Sequence, residues 1–131
     1  MSKTIVWIED DVDIIGPVVR PLERAGYKFI RLRNAKEVFD NIQKLHDADL
    51  ILLDMLLPDG GVKLELSRYT GLDIFRELLE THNLKTPVIA LTVVAREEVR
   101  KNLRLLGVAD IVRKPVRPSE LKERIEQVLS T

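Results

Sequence analysis

Cysteine is absent from the chain. That excludes disulfides, thiolate zinc sites and thiol catalysis, and it fits an expected cytoplasmic location. Histidine is nearly absent: His46 and His82 are the only two, too few for a multi-histidine metal centre or an imidazole relay. Neither sign of charge is in excess. Twenty-one Lys+Arg against 21 Asp+Glu leave a formal net charge of zero, which argues against a nucleic-acid or membrane-surface module. Long apolar runs are missing too, since 50–53 and 88–91 fall far short of the roughly 20 residues a membrane span needs. Met1-Ser2-Lys3-Thr4 leads straight into an apolar run with no small-residue cleavage site, so no signal peptide is expected. What is present, 131 residues with 45% hydrophobic and 32% charged, suits one globular domain spanning 1–131. Its chemistry is left to carboxylates, hydroxyls and lysines.

Two patterns alternate along the chain. Short branched apolar runs at 5–8, 29–32, 50–53, 88–91 and 109–112 are too short for helices and read as strands. Between them lie stretches of helical period. Asn34 is placed as an N-cap before Val38, Phe39, Ile42 and Leu45, and Leu72, Phe75, Leu78 and Leu79 form a second stripe. Val99, Leu103 and Leu106 form a third, closed by Gly107, and Pro118 opens a last one through Leu121, Ile125, Val128 and Leu129. Between Asp11 and Gly26, Pro17 and Pro21 predict a helix that starts late, after Gly16, or is kinked. Five strand–helix alternations predict an α/β fold, a parallel sheet with helices on both faces.

In an open parallel sheet, ligands bind beyond the carboxyl ends of the strands. Strand 1 ends in Glu9-Asp10-Asp11, strand 3 in Asp54, strand 4 in Thr92 and strand 5 in Arg113-Lys114-Pro115. Carboxylates gathered in one pocket repel one another unless a cation is present, and oxygen-only ligation suits Mg2+ or Mn2+. Lys114 offers a compact positive charge and Thr92 a hydroxyl donor for phosphate oxygens. A carboxylate flanked by a divalent ion and a lysine can act as a nucleophile towards phosphorus.

These motifs resemble the response-regulator receiver domain of the CheY-like type. The matching stretches are Ile5-Val6-Trp7-Ile8-Glu9-Asp10-Asp11, Leu50-Ile51-Leu52-Leu53-Asp54-Met55-Leu56-Leu57-Pro58, Pro87-Val88-Ile89-Ala90-Leu91-Thr92 and Ala109-Asp110-Ile111-Val112-Arg113-Lys114-Pro115. They lie 44 positions apart from Asp10 to Asp54 and 22 from Thr92 to Lys114, as in the family. The resemblance implies a doubly wound, flavodoxin-like five-stranded sheet of order 2-1-3-4-5. It implies Asp54 as phosphoacceptor, charged by a sensor histidine kinase or histidine phosphotransfer protein in a two-component system or phosphorelay. It assigns the metal to Glu9, Asp10, Asp54 and the backbone carbonyl of Leu56, and the phosphoryl group to Thr92 and Lys114. It makes the Lys114-Pro115 bond cis. The output passes through the fourth helical segment, fifth strand and fifth helical segment to a downstream partner. Such a domain is a switch, not a turnover enzyme, with no direct contact to nucleic acid and no membrane insertion.

Three departures bear on mechanism. Ile111 stands where the family usually has a switching aromatic, and Val116 replaces another after Lys-Pro. An insertion at about 59–70 lengthens the connection from Pro58 to Gly71 and is expected to overhang the site. Leu56, Leu57, Val93 and Val94 make the rim unusually apolar. Arg96, Arg100, Lys101 and Arg104 give the fourth helical segment a basic run suited to an acidic partner. A receiver-like scaffold that works without phosphorylation is the alternative reading, although every site position is filled. A Mg2+-dependent phosphatase or Toprim-like half-site needs an Asp-x-Asp motif, which Asp54-Met55-Leu56 does not supply.

Overall fold

The computed structural model describes residues 3–10, 12–55, 70–93 and 96–130. Asp11, Leu56, Leu57, Val94 and all but the last residue of the insertion expected at about 59–70 lie outside the described residues. Five strands, β1 (Thr4–Ile8), β2 (Lys28–Leu32), β3 (Leu50–Asp54), β4 (Val88–Thr92) and β5 (Asp110–Arg113), pair in parallel in the order β2-β1-β3-β4-β5. The order reverses between β1 and β3, which puts β2 at one edge and opens a crevice beyond the ends of β1 and β3.

The central strands are apolar along 5–8, 50–53 and 88–91 because both faces are covered there. Val6, Ile8, Ile51, Leu53, Val88 and Ala90 face one core, with α2 (Ala35–Asp40), α3 (Ile42–Asp47), α4 (Thr70–Glu80) and α5 (Glu97–Leu105) over it. The alternate positions Ile5, Trp7, Leu50, Leu52, Ile89 and Leu91 face the other, under α1 (Val12–Arg24) and α6 (Pro118–Leu129). Trp7 is buried there, its ring tilted against Phe29 at 6.1 Å between centroids, and its indole Nε1 has no hydrogen-bond partner among the described residues.

Several ends follow the expected local chemistry. The Asn34 side chain accepts from the Glu37 N–H at 2.9 Å, and Glu37 reaches back to the Arg33 N–H at 2.6 Å. Gly107 adopts φ +89°, and beside it Val108 N–H donates to the Leu103 carbonyl and Gly107 N–H to that of Arg104, the paired bonds of a left-handed helix stop.

Two expectations need correction. Of the two alternatives for the first helix, a late start or a kink, the late start is excluded: α1 begins at Val12 and continues through both prolines. Pro17 and Pro21 are four residues apart and both exposed, so the two rings share the solvent side of the helix, where a missing helix bond is tolerated best. The second helical segment is two helices. At Asn41, φ −127° and ψ 34° break the spiral, its N–H turning to the Val38 carbonyl while its side-chain amide donates to Glu37 at 2.7 Å. A side chain thus takes the place of the backbone donor that a continuous helix would supply.

Candidate functional site

The parallel direction of the sheet brings the ends of β1, β3, β4 and β5 to one edge. β3 closes on Asp54 and β4 on Thr92, both buried. Glu9, fully buried, follows β1 and keeps one sheet bond, from its N–H to the Leu32 carbonyl at 2.9 Å. Lys114 follows β5, its N–H donating to the Thr92 carbonyl at 2.9 Å, and the Lys114-Pro115 bond is cis.

The side chains converge. Lys114 Nζ donates to Glu9 Oε1 at 2.6 Å and lies 3.4 Å from Asp54 Oδ1. One carboxylate oxygen from each of Glu9, Asp10 and Asp54 lies within 4.8 Å of the others, with Asp10 on the exposed side. Burial pushes the Glu9 carboxyl above the usual carboxylate range, and the neighbouring Asp54 side chain adds to this while Lys114 opposes it. Burial works against the charge of Lys114, but its bond to Glu9 and the charges of Asp54 and Glu9 outweigh this and raise its pKa. The lysine is therefore a firmly charged ammonium shared between two acids.

Three carboxylates and one ammonium leave the pocket about two charges negative, which suits a divalent cation. Around an octahedral Mg2+ with bonds of about 2.0–2.1 Å, ligand oxygens stand roughly 2.9–4.2 Å apart. Three ligands on one ion include at least two adjacent pairs at about 2.9 Å, so oxygens now within 4.8 Å of one another need to draw in by up to about 1.9 Å, a shift within reach of carboxylate rotation. The residues fit the metal.

A close approach fixes the far wall. Gly71, in the first turn of α4, donates its N–H to the Met55 carbonyl at 3.0 Å. A Cβ at Gly71 would stand 2.4 Å from the Asp54 carbonyl oxygen and 2.5 Å from the Met55 Cα. Only a residue without a side chain lets the helix sit this close to the end of β3.

All of Glu9, Asp10, Asp54, Thr92 and Lys114 gather at this edge; Leu56 lies outside the described residues. Ile111 is half-buried against the core under α2–α5, and Val93 is 53% exposed beside Thr92. Arg31 was not foreseen. From β2 it donates Nε to the Glu9 carbonyl at 3.1 Å and Nη2 to the Asp10 carbonyl at 2.8 Å. No motif marks it, because its partners are main-chain atoms. Asp110 and Arg124 were not foreseen either: Arg124 grips Asp110 through two bonds of 2.6 and 2.7 Å on the β5–α6 surface.

Residues 5–126 match the family described as response regulator receiver domain. The chain belongs to that family. Receivers are the phosphoacceptor switches of two-component systems rather than turnover enzymes, they generally bind Mg2+ at an acidic pocket, and response regulators interact with histidine kinases or phosphotransfer proteins. This receiver is 33% identical over 129 residues to the phosphate regulon transcriptional regulatory protein PhoB of Pseudomonas aeruginosa, covering 98% of this chain and 52% of that protein. It is 30% identical over 131 residues to the polar-differentiation response regulator DivK of Brucella anthropi, covering 98% of each. The chain thus spans about half the length of the transcriptional regulators it matches and nearly all of DivK. The chemotaxis response regulator CheY4 of Vibrio cholerae shares the fold, with a TM-score of 0.79 over 98% of this chain and 99% of that chain at 22% identity. No helix among the described residues is long and apolar enough to cross a membrane.

Proposed function

We propose that Asp54 is the phosphoacceptor of this receiver and takes its phosphoryl group from a phosphohistidine on a sensor kinase or phosphotransfer protein. The observation that supports this reading is the sharing of one lysine by Glu9 and Asp54 inside the three-carboxylate cluster. A carboxylate oxygen of Asp54 attacks phosphorus as the bond to the histidine nitrogen breaks, and Asp54 becomes an acyl phosphate. Mg2+, when bound, neutralises charge on the pocket and on the phosphoryl oxygens. Glu9, Asp10 and Asp54 would hold it, with the Leu56 carbonyl as a further ligand by family resemblance. Lys114 stands 3.4 Å from Asp54 Oδ1, close enough to meet the incoming phosphoryl group. After transfer, Lys114 exchanges its contact with Asp54 for a phosphoryl oxygen, and the Thr92 hydroxyl donates to another.

Thr92 and Lys114 are joined by a backbone bond between the ends of β4 and β5. A pull on either is passed to β5 and to the helices α5 and α6 that flank it, the face through which this receiver would address its partner. Residues 1–131 act as one receiver unit in this reading. Ile111 supplies no ring to swing, so displacement of Thr92 and Lys114 carries the response.

Intact mass before and after acetyl phosphate with Mg2+ tests the assignment. The parent should gain one phosphate, and Asp54→Asn or chelation with EDTA should abolish the gain. A phosphorylated Asp54→Asn chain, or labelling indifferent to EDTA, would falsify it. Retained partner binding by Asp54→Asn would favour the scaffold alternative.

A further inference from the structure

β1 leaves the sheet after Ile8, and the chain that follows carries two of the three clustered carboxylates. On the β2 side, the sheet bonds described beyond β1 reach as far as the Glu9 N–H, one residue short of Asp10. The main-chain direction at Glu9 and Asp10 is instead gripped from the edge strand. Arg31 pairs with Trp7 in the β1–β2 register, two residues before Glu9, and its side chain runs forward along the sheet edge. Its guanidinium places Nε on the Glu9 carbonyl at 3.1 Å and Nη2 on the Asp10 carbonyl at 2.8 Å. Two donors in one rigid plane hold two successive carbonyls, and so restrain the backbone of Asp10, which lies between the two peptide groups. A backbone restrained on both sides of Asp10 leaves its side chain, and that of Glu9 just before it, fewer directions to take.

We propose that Arg31 is a positioning residue for the metal pocket: by clamping the Glu9 and Asp10 carbonyls it aims the two carboxylates at Asp54, so that the cation finds its ligands already gathered. The inference rests on the reading of this pocket as the Mg2+ site. It makes a sign prediction that separates it from simple electrostatics. A guanidinium near the pocket repels a divalent cation, so if Arg31 acted through charge alone its removal would tighten Mg2+ binding. If it acts by aiming the carboxylates, its removal weakens binding although a positive charge has gone. Lysine in its place keeps the charge and loses the planar fork, so it should not rescue.

The experiment titrates Mg2+ into the full chain and follows the backbone amide shifts of residues 10 and 54. It compares the parent with Arg31→Met, Arg31→Lys and Arg33→Met. The last removes a charge two residues away, from a side chain that pairs only with Glu37 among the contacts described. Unchanged amide positions across β3 and β4 in the absence of metal establish that each variant is folded. Arg31→Met and Arg31→Lys should each bind Mg2+ about three- to tenfold more weakly, or about 0.7–1.4 kcal/mol, while Arg33→Met binds as tightly as the parent or more so. Arg31→Met binding as well as the parent or better, or Arg31→Lys at parental affinity, overturns the clamp alone. A parent with no saturable response to Mg2+ overturns the reading of the pocket, and the clamp with it.

Discussion

Two acid–base pairs in this chain have nearly the same contact length and opposite characters. Lys114 meets Glu9 at 2.6 Å inside the pocket, and Arg124 meets Asp110 at 2.6 Å on the β5–α6 surface. The surface pair is complete: a planar fork meets both carboxylate oxygens, the Ile111 N–H adds a further bond at 2.8 Å, and Asp110 is held below the usual carboxylate range. The pocket pair is shared and deeply buried. One ammonium serves two acids, and Glu9 is held above the usual range. A pair built for stability satisfies its acid in the folded chain. A pair built for chemistry leaves its acid in need of another cation, which is the condition for binding one.

The largest effect should come from disturbing the pocket's wall. Gly71→Ala places a Cβ against backbone at 2.4–2.5 Å and must push α4 from the end of β3, so we expect a loss of about 2–3 kcal/mol. Urea denaturation measures it, and labelling from acetyl phosphate should fall in the same variant. A stable, fully labelled Gly71→Ala chain would show that the wall yields.

Lys114→Met comes next. It leaves Glu9 and Asp54 without their shared cation, a loss of about 2 kcal/mol without divalent ion. Saturating Mg2+ should restore most of that loss, because a second cation fills the same need. Urea midpoints with and without Mg2+ decide this. On the surface, Arg124→Met should cost only about 1 kcal/mol, since both partners are partly solvated, and Mg2+ should not restore it. Rescue of both variants by the ion, or of neither, would erase the distinction between the pairs.

The smallest effect is in the direction of titration. An acid whose folded pKa is raised adds stability below its ordinary value, lost as pH rises through the folded one. An acid whose pKa is lowered adds stability above its ordinary value, lost as pH falls through the folded one. Glu9 belongs to the first kind and Asp110 to the second. Carboxyl carbon shifts should place the Glu9 titration above the ordinary value of about 4.3 and that of Asp110 below about 3.9. Mg2+ should move the Glu9 midpoint downwards and leave that of Asp110 where it is.

The sheet was legible because its signal is collective. Each strand boundary falls within one residue of its apolar run, since runs such as 50–53 and 88–91 are buried on both sides and have only one way to lie. The pocket was legible for a related reason: a parallel sheet delivers every strand end to one edge, so Glu9, Asp54, Thr92 and Lys114 could be assembled from their places in the chain. Single side chains that act on backbone were not legible. Asn41 breaks a helix whose apolar stripe continues through Val38, Ile42 and Leu45, and no periodicity records that its amide competes for the Glu37 carbonyl. Pro17 and Pro21 suggested a late start because the rule against proline ignores which side of the helix it occupies. Arg31 has the same character, an ordinary edge-strand residue until its carbonyl partners are seen.

Trp7 adds an optical consequence. It is the only tryptophan, 1% exposed, packed on Phe29 and two residues ahead of Glu9, near the end of β1. An indole shut away from water emits at short wavelength and is shielded from soluble quenchers such as acrylamide. The chain therefore carries an intrinsic lamp at the root of its pocket, read without any label, and a tightening of the Glu9–Asp10 segment should register first as a change in its brightness.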